Sequence, residues 1–183
     1  MKMTYSGDQV AISDIETNGL LQQVTQFHCA VSINPFTLEE RRYEPQDAQT
    51  YLDHLSGQAV VVGHNYRGYD LLALAKLYEY RYPGFCFDTL VLSRLLNPER
   101  KLHSLEAWGK QLRYHKGTFG QTSDWSTFSN EMLLYCVDDV RLNAILFLHF
   151  IKNLGWYEWF GATKQDCIRN DKAIREGDLR IIQ

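Results

Sequence analysis

Two acidic residues separated by a single residue stand near the start of the chain, in the segment Asp14-Ile15-Glu16. The residues Gln9–Asp14 are predicted to form a β-strand, and side chains two positions apart on a strand point to the same face. We therefore expect both carboxylates to emerge together, with Ile15 turned into the core. A D-x-E pair is common by chance, and alone it fits a solvated strand end equally well.

A second polar segment, GHNYRGYD, occupies positions 63–70. It follows a short valine-rich run that predicts a buried strand at Ala59–Val62, and it leads into a predicted helix. A carboxylate at a helix start is favoured by the helix dipole, so Asp70 could be a capping residue. His64 and Asn65 could likewise serve only the turn.

The third segment is YCVDD at positions 135–139. In a helix, residues four apart share a face, so Tyr135 and Asp139 would stand together on a stripe that Leu142 and Leu146 continue. A carboxylate on such an apolar face costs on the order of several kcal/mol unless it is paired or binds a metal. Asp138 points elsewhere and is expected at the surface. Tyr135 taken alone could equally be a core tyrosine.

Together these segments supply four acids, namely Asp14, Glu16, Asp70 and Asp139. If the fold gathers them, their mutual repulsion requires cations, and ligation by oxygen alone suits Mg²⁺ or Mn²⁺ better than zinc. Two such ions about 3.5–4 Å apart can activate water and stabilise the leaving oxygen in phosphodiester hydrolysis. Asp14 would then bridge both ions.

The elements that must position these acids follow from hydrophobic periodicity and turn residues. Strands are predicted at Gln9–Asp14, Thr25–Ile33, Glu39–Tyr43, Ala59–Val62 and Phe85–Phe87. Helices are predicted from Asp47 to Leu55, after Asp70, at Thr89–Leu96, at Ser104–Leu112 and from Ser129 to about Asn153, with a loop at Gly117–Ser126. Strands first, then helices interleaved with strands, indicate an α/β fold with a mixed sheet covered by helices.

Composition indicates an ordinary soluble domain. The chain has 183 residues, of which 45% are hydrophobic and 22% charged. Its start does not resemble a signal peptide, and its apolar runs are too short to span a bilayer, so we expect a cytoplasmic protein without membrane contact. The four cysteines form no C-x-x-C pair, which favours reduced, packed thiols over a zinc knuckle.

The charge is unevenly distributed. The formal net charge of −3 argues against binding to nucleic acid by bulk positive charge alone. The segment from Arg94 to Lys116 nevertheless contains six Arg or Lys against two acids. Beside a site that cuts phosphodiesters, this basic strip is a candidate contact for the nucleic-acid backbone, with Lys101 and Arg113 as its test residues.

The segments DIETNGL, GHNYRGYD and YCVDD resemble the Exo I, Exo II and Exo III motifs of DEDD (DnaQ-like) 3′→5′ exonucleases. The resemblance implies a ribonuclease H-like fold, a mixed central β-sheet flanked by α-helices. The third motif separates two branches of the family. One has a His five positions before the last Asp, where this chain has Leu134, and the other has a Tyr four positions before it, here Tyr135. The chain resembles the DEDDy type.

A closer resemblance covers about Val10 to Phe150. The segments SDIETNGLLQQVTQFHCAV, DTLVLSRLL and LEAWGKQL resemble the proofreading domain of family A DNA polymerases from podovirus-type phages. An insertion usual in that family between Leu96 and His103 is shorter here. We expect an exonuclease domain at 1–154 and an extension at 155–183 that packs on it or is partly mobile. No polymerase domain fits after it, so the module is expected to stand alone.

The resemblance implies roles for the acids and the tyrosine. Asp14, Glu16 and Asp139 would hold the ion that binds the attacking water. Asp14 would also hold a second ion, with Asp70 acting on it directly or through water. The hydroxyl of Tyr135 would orient the nucleophilic water. Two divalent cations, Mg²⁺ or Mn²⁺, are the implied cofactors.

The resemblance also implies a substrate and its contacts. Thr17 and Asn18 lie where the backbone of the family's members contacts the terminal nucleotide. Leu20 lies where an apolar side chain inserts between the last bases. Asn65 lies where a further contact with the substrate is made. The expected reaction releases nucleoside 5′-monophosphates from single-stranded or frayed DNA 3′ ends, with little base preference. The setting would be a host or bacterial cytoplasm, where the domain could work with a DNA polymerase or another replication protein in trans.

Two alternatives remain open. The same acids could trim RNA, since contacts to the 2′-hydroxyl decide that choice and none is identifiable here. The domain could instead be a catalytically silent module that binds nucleic acid or a polymerase. A degenerate site usually lacks a ligand, whereas this chain keeps all four acids and Tyr135.

Overall fold

A mixed six-stranded sheet forms the centre of the molecule. The computed structural model describes residues 4–114 and 124–182. Strands β1, β2 and β3 form an antiparallel meander. Strands β4 and β5 continue the sheet beside β1 and run parallel to it, while β6 lies parallel to β3 at the opposite edge. The strand order is therefore β5-β4-β1-β2-β3-β6. Their bounds are Val10–Thr17, Phe27–Ile33, Glu39–Tyr43, Val60–Gly63, Phe85–Asp88 and Arg180–Ile182.

Six α-helices cover the sheet in the described part of the chain. They are α1 Ala48–Ser56, α2 Asp70–Tyr78, α3 Thr89–Leu96, α4 Leu105–Leu112, α5 Asn130–Leu154 and α6 Lys164–Glu176. Short 3-10 turns occur at Gly7–Gln9, Pro45–Asp47 and Trp156–Phe160. Within residues 4–114 and 124–182, no helix combines the length and apolar character needed to cross a bilayer.

The two faces of β1 belong to different hydrophobic clusters. Val10 and Ile12 pack in the larger cluster, which contains the buried face of α5. Ile15 packs in the smaller cluster with residues of α1 and α2. The period of two along a strand therefore turns the next side chains of the first set, Asp14 and Glu16, toward α5.

Several helices and strands begin and end where the sequence predicts, and the bounds of others differ because of contacts in the structure. The bounds of β3 and α3 are those predicted, and Ser129 caps α5 by accepting a hydrogen bond from the Met132 amide at 3.2 Å. Strand β2 begins at Phe27 rather than Thr25, because the backbone amides of Thr25 and Gln26 donate hydrogen bonds to the Asn18 side chain, at 3.0 Å each. Strand β1 continues past Asp14, since its pairing with β2 extends to Thr17.

The residues after Gly155 fold back on the domain. Phe160 is buried in the larger cluster, and α6 packs against α5 through Cys167 and Ile174. The Asn170 side chain donates to the Pro35 carbonyl at 2.8 Å. Strand β6 then extends the sheet beside β3, which the sequence pattern did not predict because three residues carry too little periodicity.

All four cysteines are free, and three of them are buried, as expected of packed thiols. Cys29 and Cys136 lie in the larger hydrophobic cluster next to the acids of β1. Their position makes the thiols part of the surroundings of the candidate site.

Candidate active site

Asp14 and Glu16 lie on the face of β1 that meets α5, as strand alternation predicts. Carboxylate oxygens of both residues and the Cys136 sulfur all lie within 4.8 Å of one another. Cys136 belongs to α5, and its Sγ lies 3.9 Å from Oδ2 of Asp14. The strand and the long helix thus bring the first and third sequence motifs into direct contact.

Asp70 joins the same site from the opposite side of the sheet. It is the first residue of α2, it is only 3% exposed, and its Oδ1 accepts a hydrogen bond from the backbone amide of Ile15 at 3.1 Å. Because Ile15 lies between Asp14 and Glu16 in β1, this bond brings Asp70 to that pair. Asp70 is therefore more than a capping residue of α2.

The other three acids all contribute to the electrostatics of Glu16. Burial raises the pKa of Glu16 well above its usual value, and the Asp14 carboxylate adds the next largest contribution. The charges of Asp139 and Asp70 raise the same pKa further. One carboxyl group therefore senses the other three, although their motifs are far apart in the sequence.

The pKa of Asp70 is also raised well above its usual value. Burial is the main cause, followed by the Asp14 carboxylate, while hydrogen bonds from the amides of Ile15 and Asp70 itself act in the opposite direction. The folded chain therefore holds two carboxyl groups, Glu16 and Asp70, that resist ionisation at this site. Divalent cations relieve that repulsion, and ligands that are all carboxylate oxygens fit Mg²⁺ or Mn²⁺.

Tyr135 and Asp139 lie one turn apart on α5, as helical spacing predicts. Asp139 is 9% exposed and belongs to a helix face that continues with the buried Leu142 and Leu146. The ring of Tyr135 makes an edge-to-face contact with Trp125, with 6.1 Å between ring centroids. The tyrosine hydroxyl and the fourth carboxylate are thus presented from the same helix.

A fifth acid, Asp88, organises the turn that leads to Asp70, and sequence reasoning did not single it out. Its carboxylate accepts hydrogen bonds from the amides of Asn65 and Arg67, at 3.1 Å each, and caps α3 through the Leu90 amide at 3.0 Å. The signal available in the sequence was an acid directly before a predicted helix, which is typical of a capping residue. Asp88 therefore positions the second motif.

Gly63 allows this turn to pack closely. A Cβ at that position would lie 2.2 Å from Cδ2 of Tyr66, a residue that is fully buried. The turn also places Asn65 in the left-handed region at φ 64°. Within the second motif, Gly63 and Asn65 therefore meet steric demands of the backbone.

An open cleft of about 360 Å³ leads from Glu16 to the surface. The cleft is lined by Glu16, Thr17, Gly19, Leu20, Gln23, Tyr69 and Trp125. Leu20 is 75% exposed at this cleft. The cleft thus combines a carboxylate with apolar and aromatic walls.

The loop that carries Leu20 is fixed from several sides. The Asn18 side chain binds the Thr25 hydroxyl at 2.7 Å, in addition to the two amides of the same loop. Lys76 of α2 donates to the carbonyls of Leu21 at 3.1 Å and Gln22 at 2.9 Å. The exposed leucine is therefore held in place by polar contacts of its backbone.

Tyr69 fixes the start of that loop. Its hydroxyl donates to the Gly19 carbonyl at 2.6 Å and also contacts the hydroxyl of Thr17. Burial raises the pKa of Tyr69, so the hydroxyl keeps its proton and remains a donor. Sequence reasoning did not assign Tyr69 a role, although it directly precedes the acid of the second motif.

Trp125 reaches the cleft through a contact that no local pattern could predict. The fully buried His28 of β2 binds the Trp125 carbonyl through Nε2 at 3.0 Å. The two residues are 97 positions apart in the sequence. His28 thereby ties the segment before α5 to the sheet beside Thr17, and Trp125 becomes a wall of the cleft.

The remaining predicted substrate residues occupy varied positions. Thr17 lines the cleft, whereas the Asn18 side chain is committed to its own loop. Asn65 is exposed in the turn held by Asp88. Lys101 lies before the start of α4 and Arg113 directly after its end, and both are exposed. The final part of the basic strip, at 115 and 116, lies outside the described residues, as does most of the predicted loop at 117–126.

Comparison with known proteins first gives homology to two phage polymerases. No family model matches the chain. The chain is 35% identical to a DNA-directed DNA polymerase of Escherichia phage T7, in an alignment that covers 74% of this chain and 25% of the polymerase. It is 34% identical, with the same coverage, to the corresponding polymerase of Enterobacteria phage T3. The chain thus spans about a quarter of the length of these relatives.

Solved structures add a likeness of fold. Brucella melitensis NrnC superposes with a TM-score of 0.60 and 22% identity, covering 92% of this chain and 82% of NrnC. NrnC has also been solved with bound Mg²⁺ and bound to pGG, each with a TM-score of 0.59 and 23% identity to this chain. The mixed sheet flanked by helices confirms the predicted ribonuclease H-like α/β fold.

Homology, fold and site agree with one another. The polymerase relatives are of the kind that the sequence segments resemble, and the fold is like that of NrnC. The chain keeps the four acids and brings Asp14, Glu16 and Asp70 together beside Asp139. The homology and the fold together support a DnaQ-like exonuclease.

Proposed function

We propose that this protein is a divalent-cation-dependent 3′→5′ exonuclease that releases nucleoside 5′-monophosphates from single-stranded or frayed DNA 3′ ends by two-metal-ion hydrolysis. The observation that carries the proposal is the hydrogen bond between Oδ1 of Asp70 and the Ile15 amide, at 3.1 Å. It brings an acid from α2 to the Asp14–Glu16 pair, while α5 contributes Asp139. Four carboxylates beside an open cleft are well suited to phosphodiester hydrolysis.

The acids divide into two overlapping sets in this proposal. Asp14, Glu16 and Asp139 would hold one ion, and Asp14 with Asp70 a second. Divalent cations held there would activate the attacking water and stabilise the oxygen that leaves. NrnC has been solved with bound Mg²⁺, which supports the use of a divalent cation by this fold. Mn²⁺ would fit the same oxygen ligands.

The protein's own groups would orient the reactants. The hydroxyl of Tyr135 lies on the same helix face as Asp139 and would hold the attacking water in line with the phosphorus atom. The edge-to-face contact with Trp125 restricts the ring of Tyr135. Holding water and phosphate in this arrangement lowers the barrier mainly by positioning them.

The cleft would accept the terminal nucleotide. Leu20 and Trp125 offer apolar surfaces against which a base can stack, and such contacts tolerate any base. Thr17 and Gly19 border the same space with polar groups. A single-stranded end enters without the cost of unpairing, so frayed or mismatched ends would be preferred.

Exposed basic residues would guide the backbone toward the cleft. Lys101 and Arg113 flank α4, and Arg100 beside them stacks on Trp108 at 4.0 Å from the ring centroid. The formal net charge of −3 implies modest affinity that depends on salt through this strip. Action with a DNA polymerase or another replication protein in trans is compatible with the homology to phage polymerases.

The test is a time course on matched single-stranded DNA oligonucleotides labelled at the 5′ or the 3′ end, in Mg²⁺, in Mn²⁺ and in EDTA. We expect a 5′-labelled ladder that shortens by single nucleotides, with immediate release of labelled mononucleotide from the 3′ end and no reaction in EDTA. Internal fragments at early times, or cleavage that persists in EDTA, would contradict the proposal.

A parallel arm uses RNA of the same sequence and the dinucleotide pGG, because NrnC of similar fold has been solved bound to pGG. We expect faster decay of the DNA oligonucleotide. Faster decay of the RNA or of the dinucleotide would assign the site to a different nucleic-acid substrate.

A further inference from the structure

The sulfur of Cys136 is part of the acidic cluster. Cys136 is fully buried on α5, one turn before Asp139. Its Sγ lies 3.5 Å from the backbone oxygen of Asp14 and 3.9 Å from Oδ2 of the same residue. With a carboxylate oxygen of Glu16, it completes a set of three donor atoms within 4.8 Å of one another. The cluster therefore contains one soft donor among hard ones.

The spacing of the Cys136 sulfur and Oδ2 of Asp14 is close to that of two ligands on one tetrahedral ion. Bond lengths of about 2.3 Å for zinc–sulfur and 2.1 Å for zinc–oxygen place the two donors about 3.6 Å apart. The observed separation of Sγ and Asp14 Oδ2 is 3.9 Å, so a small rotation of either side chain would suffice. Mg²⁺ requires oxygen ligands in near-octahedral geometry and would leave the thiol uninvolved.

We propose that Cys136 makes this site accept thiophilic divalent ions such as Zn²⁺ and Cd²⁺, bound by its sulfur together with the carboxylates of Asp14 and Glu16. As the sulfur–metal bond forms, the thiol proton passes to solvent. The ion then occupies carboxylates that would otherwise hold Mg²⁺ or Mn²⁺, so thiophilic ions inhibit the enzyme. The inhibition rests on the proposed function, whereas the binding of the ion does not.

The alternative role of Cys136 is that of a small side chain that fills space between α5 and β1. Three of its neighbours in the larger cluster are apolar residues of the same helix, namely Leu133, Val137 and Val140. A space-filling role predicts that replacement of the sulfur leaves the response to thiophilic ions unchanged. The two roles are therefore separable by experiment.

The test is a titration of the metal-free, reduced protein with Cd²⁺, followed by the ultraviolet charge-transfer absorption of a thiolate–cadmium bond. The variants are Cys136→Ala and Cys136→Ser, the second of which keeps the side-chain volume but supplies oxygen. Cys86→Ala is the matched control, because Cys86 is the most exposed of the four cysteines. Circular dichroism of each variant checks that the fold is retained.

We expect a saturable absorption band in the wild type and in Cys86→Ala, and its loss in both Cys136 variants, with Cd²⁺ affinity reduced by about tenfold or more. A band that persists in the Cys136 variants, or no band in the wild type, would overturn the proposal. Cleavage by the wild type in Mg²⁺ is measured separately, so that failure of the nuclease proposal is distinguished from failure of thiol ligation.

Discussion

Asp70 and Ile15 are joined by a hydrogen bond of 3.1 Å, in which the Ile15 amide donates to Oδ1 of the carboxylate. The two residues are 55 positions apart, and the bond links the first residue of α2 to the strand between the two acids of β1. The position of Asp70 is thus set by the fold. A site organised in this way needs little rearrangement when its ligands bind.

Asp70→Asn separates the charge of this residue from its structural role. Asparagine keeps a side-chain oxygen that can accept from the Ile15 amide, but it removes a carboxylate ligand. We expect the rate of nucleotide release in Mg²⁺ to fall about 100-fold or more. In EDTA near neutral pH, the melting temperature of the variant should equal or exceed that of the wild type, because the variant no longer buries a charge among other acids.

Asp138→Asn is the control for that variant, since Asp138 is a half-buried acid next to Asp139 outside the proposed ligand set. Its rate should stay within about twofold of the wild type, as is usual for changes away from a site. Equal rates for Asp70→Asn and Asp138→Asn would show that Asp70 contributes nothing beyond general charge.

The stability of the metal-free protein should decrease as the pH rises. Glu16 and Asp70 have raised pKa values in the folded state, chiefly through burial and then through the charge of Asp14. The folded state therefore holds more protons than the unfolded state from about pH 4 up to those raised values. Because stability falls with pH wherever the folded state binds more protons, the free energy of unfolding in EDTA should be higher in mild acid than at neutral pH.

Mg²⁺ should reverse this trend, because it binds ionised carboxylates of the folded state and stabilises that state as the pH rises. Urea unfolding at a series of pH values, with EDTA in one series and Mg²⁺ in the other, measures both effects. Superimposable pH profiles in the two series would argue against cation binding by these acids.

Tyr135→Phe should slow the chemical step without weakening metal binding. The ring contact with Trp125 is retained, and only the hydroxyl that would orient water is lost. We expect the single-turnover rate to fall by about tenfold to 100-fold, a modest share of what positioned acid–base groups contribute. The Mn²⁺ concentration that gives half-maximal rate should remain the same. A rate equal to that of the wild type would remove Tyr135 from the mechanism.

Leu20→Ala should weaken binding of the 3′ end in the cleft. Leu20 is 75% exposed at the cleft, so its truncation removes a contact with the substrate rather than core packing. We expect the KM for single-stranded DNA to rise severalfold, with the free energy of unfolding unchanged within about 0.5 kcal/mol. Leu95→Ala is the matched control, since Leu95 is 72% exposed on α3 outside the cleft. An equal change in both variants would dismiss this role of Leu20.

The sequence was informative where chemistry depends on local spacing. Strand alternation placed Asp14 and Glu16 on one face, and helical spacing placed Tyr135 and Asp139 together on a stripe that is otherwise apolar. The helices predicted from Ser104 and from Ser129 begin directly after those residues, and both serines accept a capping backbone hydrogen bond. These features need only a few neighbouring residues to be specified.

Features that depend on distant contacts were not predictable from one sequence. The approach of Asp70 to β1 depends on how α2 packs against the sheet, and the bond between His28 and the Trp125 carbonyl spans 97 positions. Asp88 looked like part of a helix start, whereas it also holds the amides of Asn65 and Arg67. Residues of such types occur everywhere in proteins, and only the tertiary fold gives them these partners.

The proposed ligand set of a pair of divalent cations consists of Asp14, Glu16, Asp70 and Asp139, and calorimetric titration with Mn²⁺ measures how many ions bind there. In the presence of a nucleoside 5′-monophosphate, the wild type should bind two ions per chain. Asp14→Asn should lose both, because Asp14 belongs to both ligand sets. Retention of two ions by Asp14→Asn, or no binding by the wild type, would contradict the account.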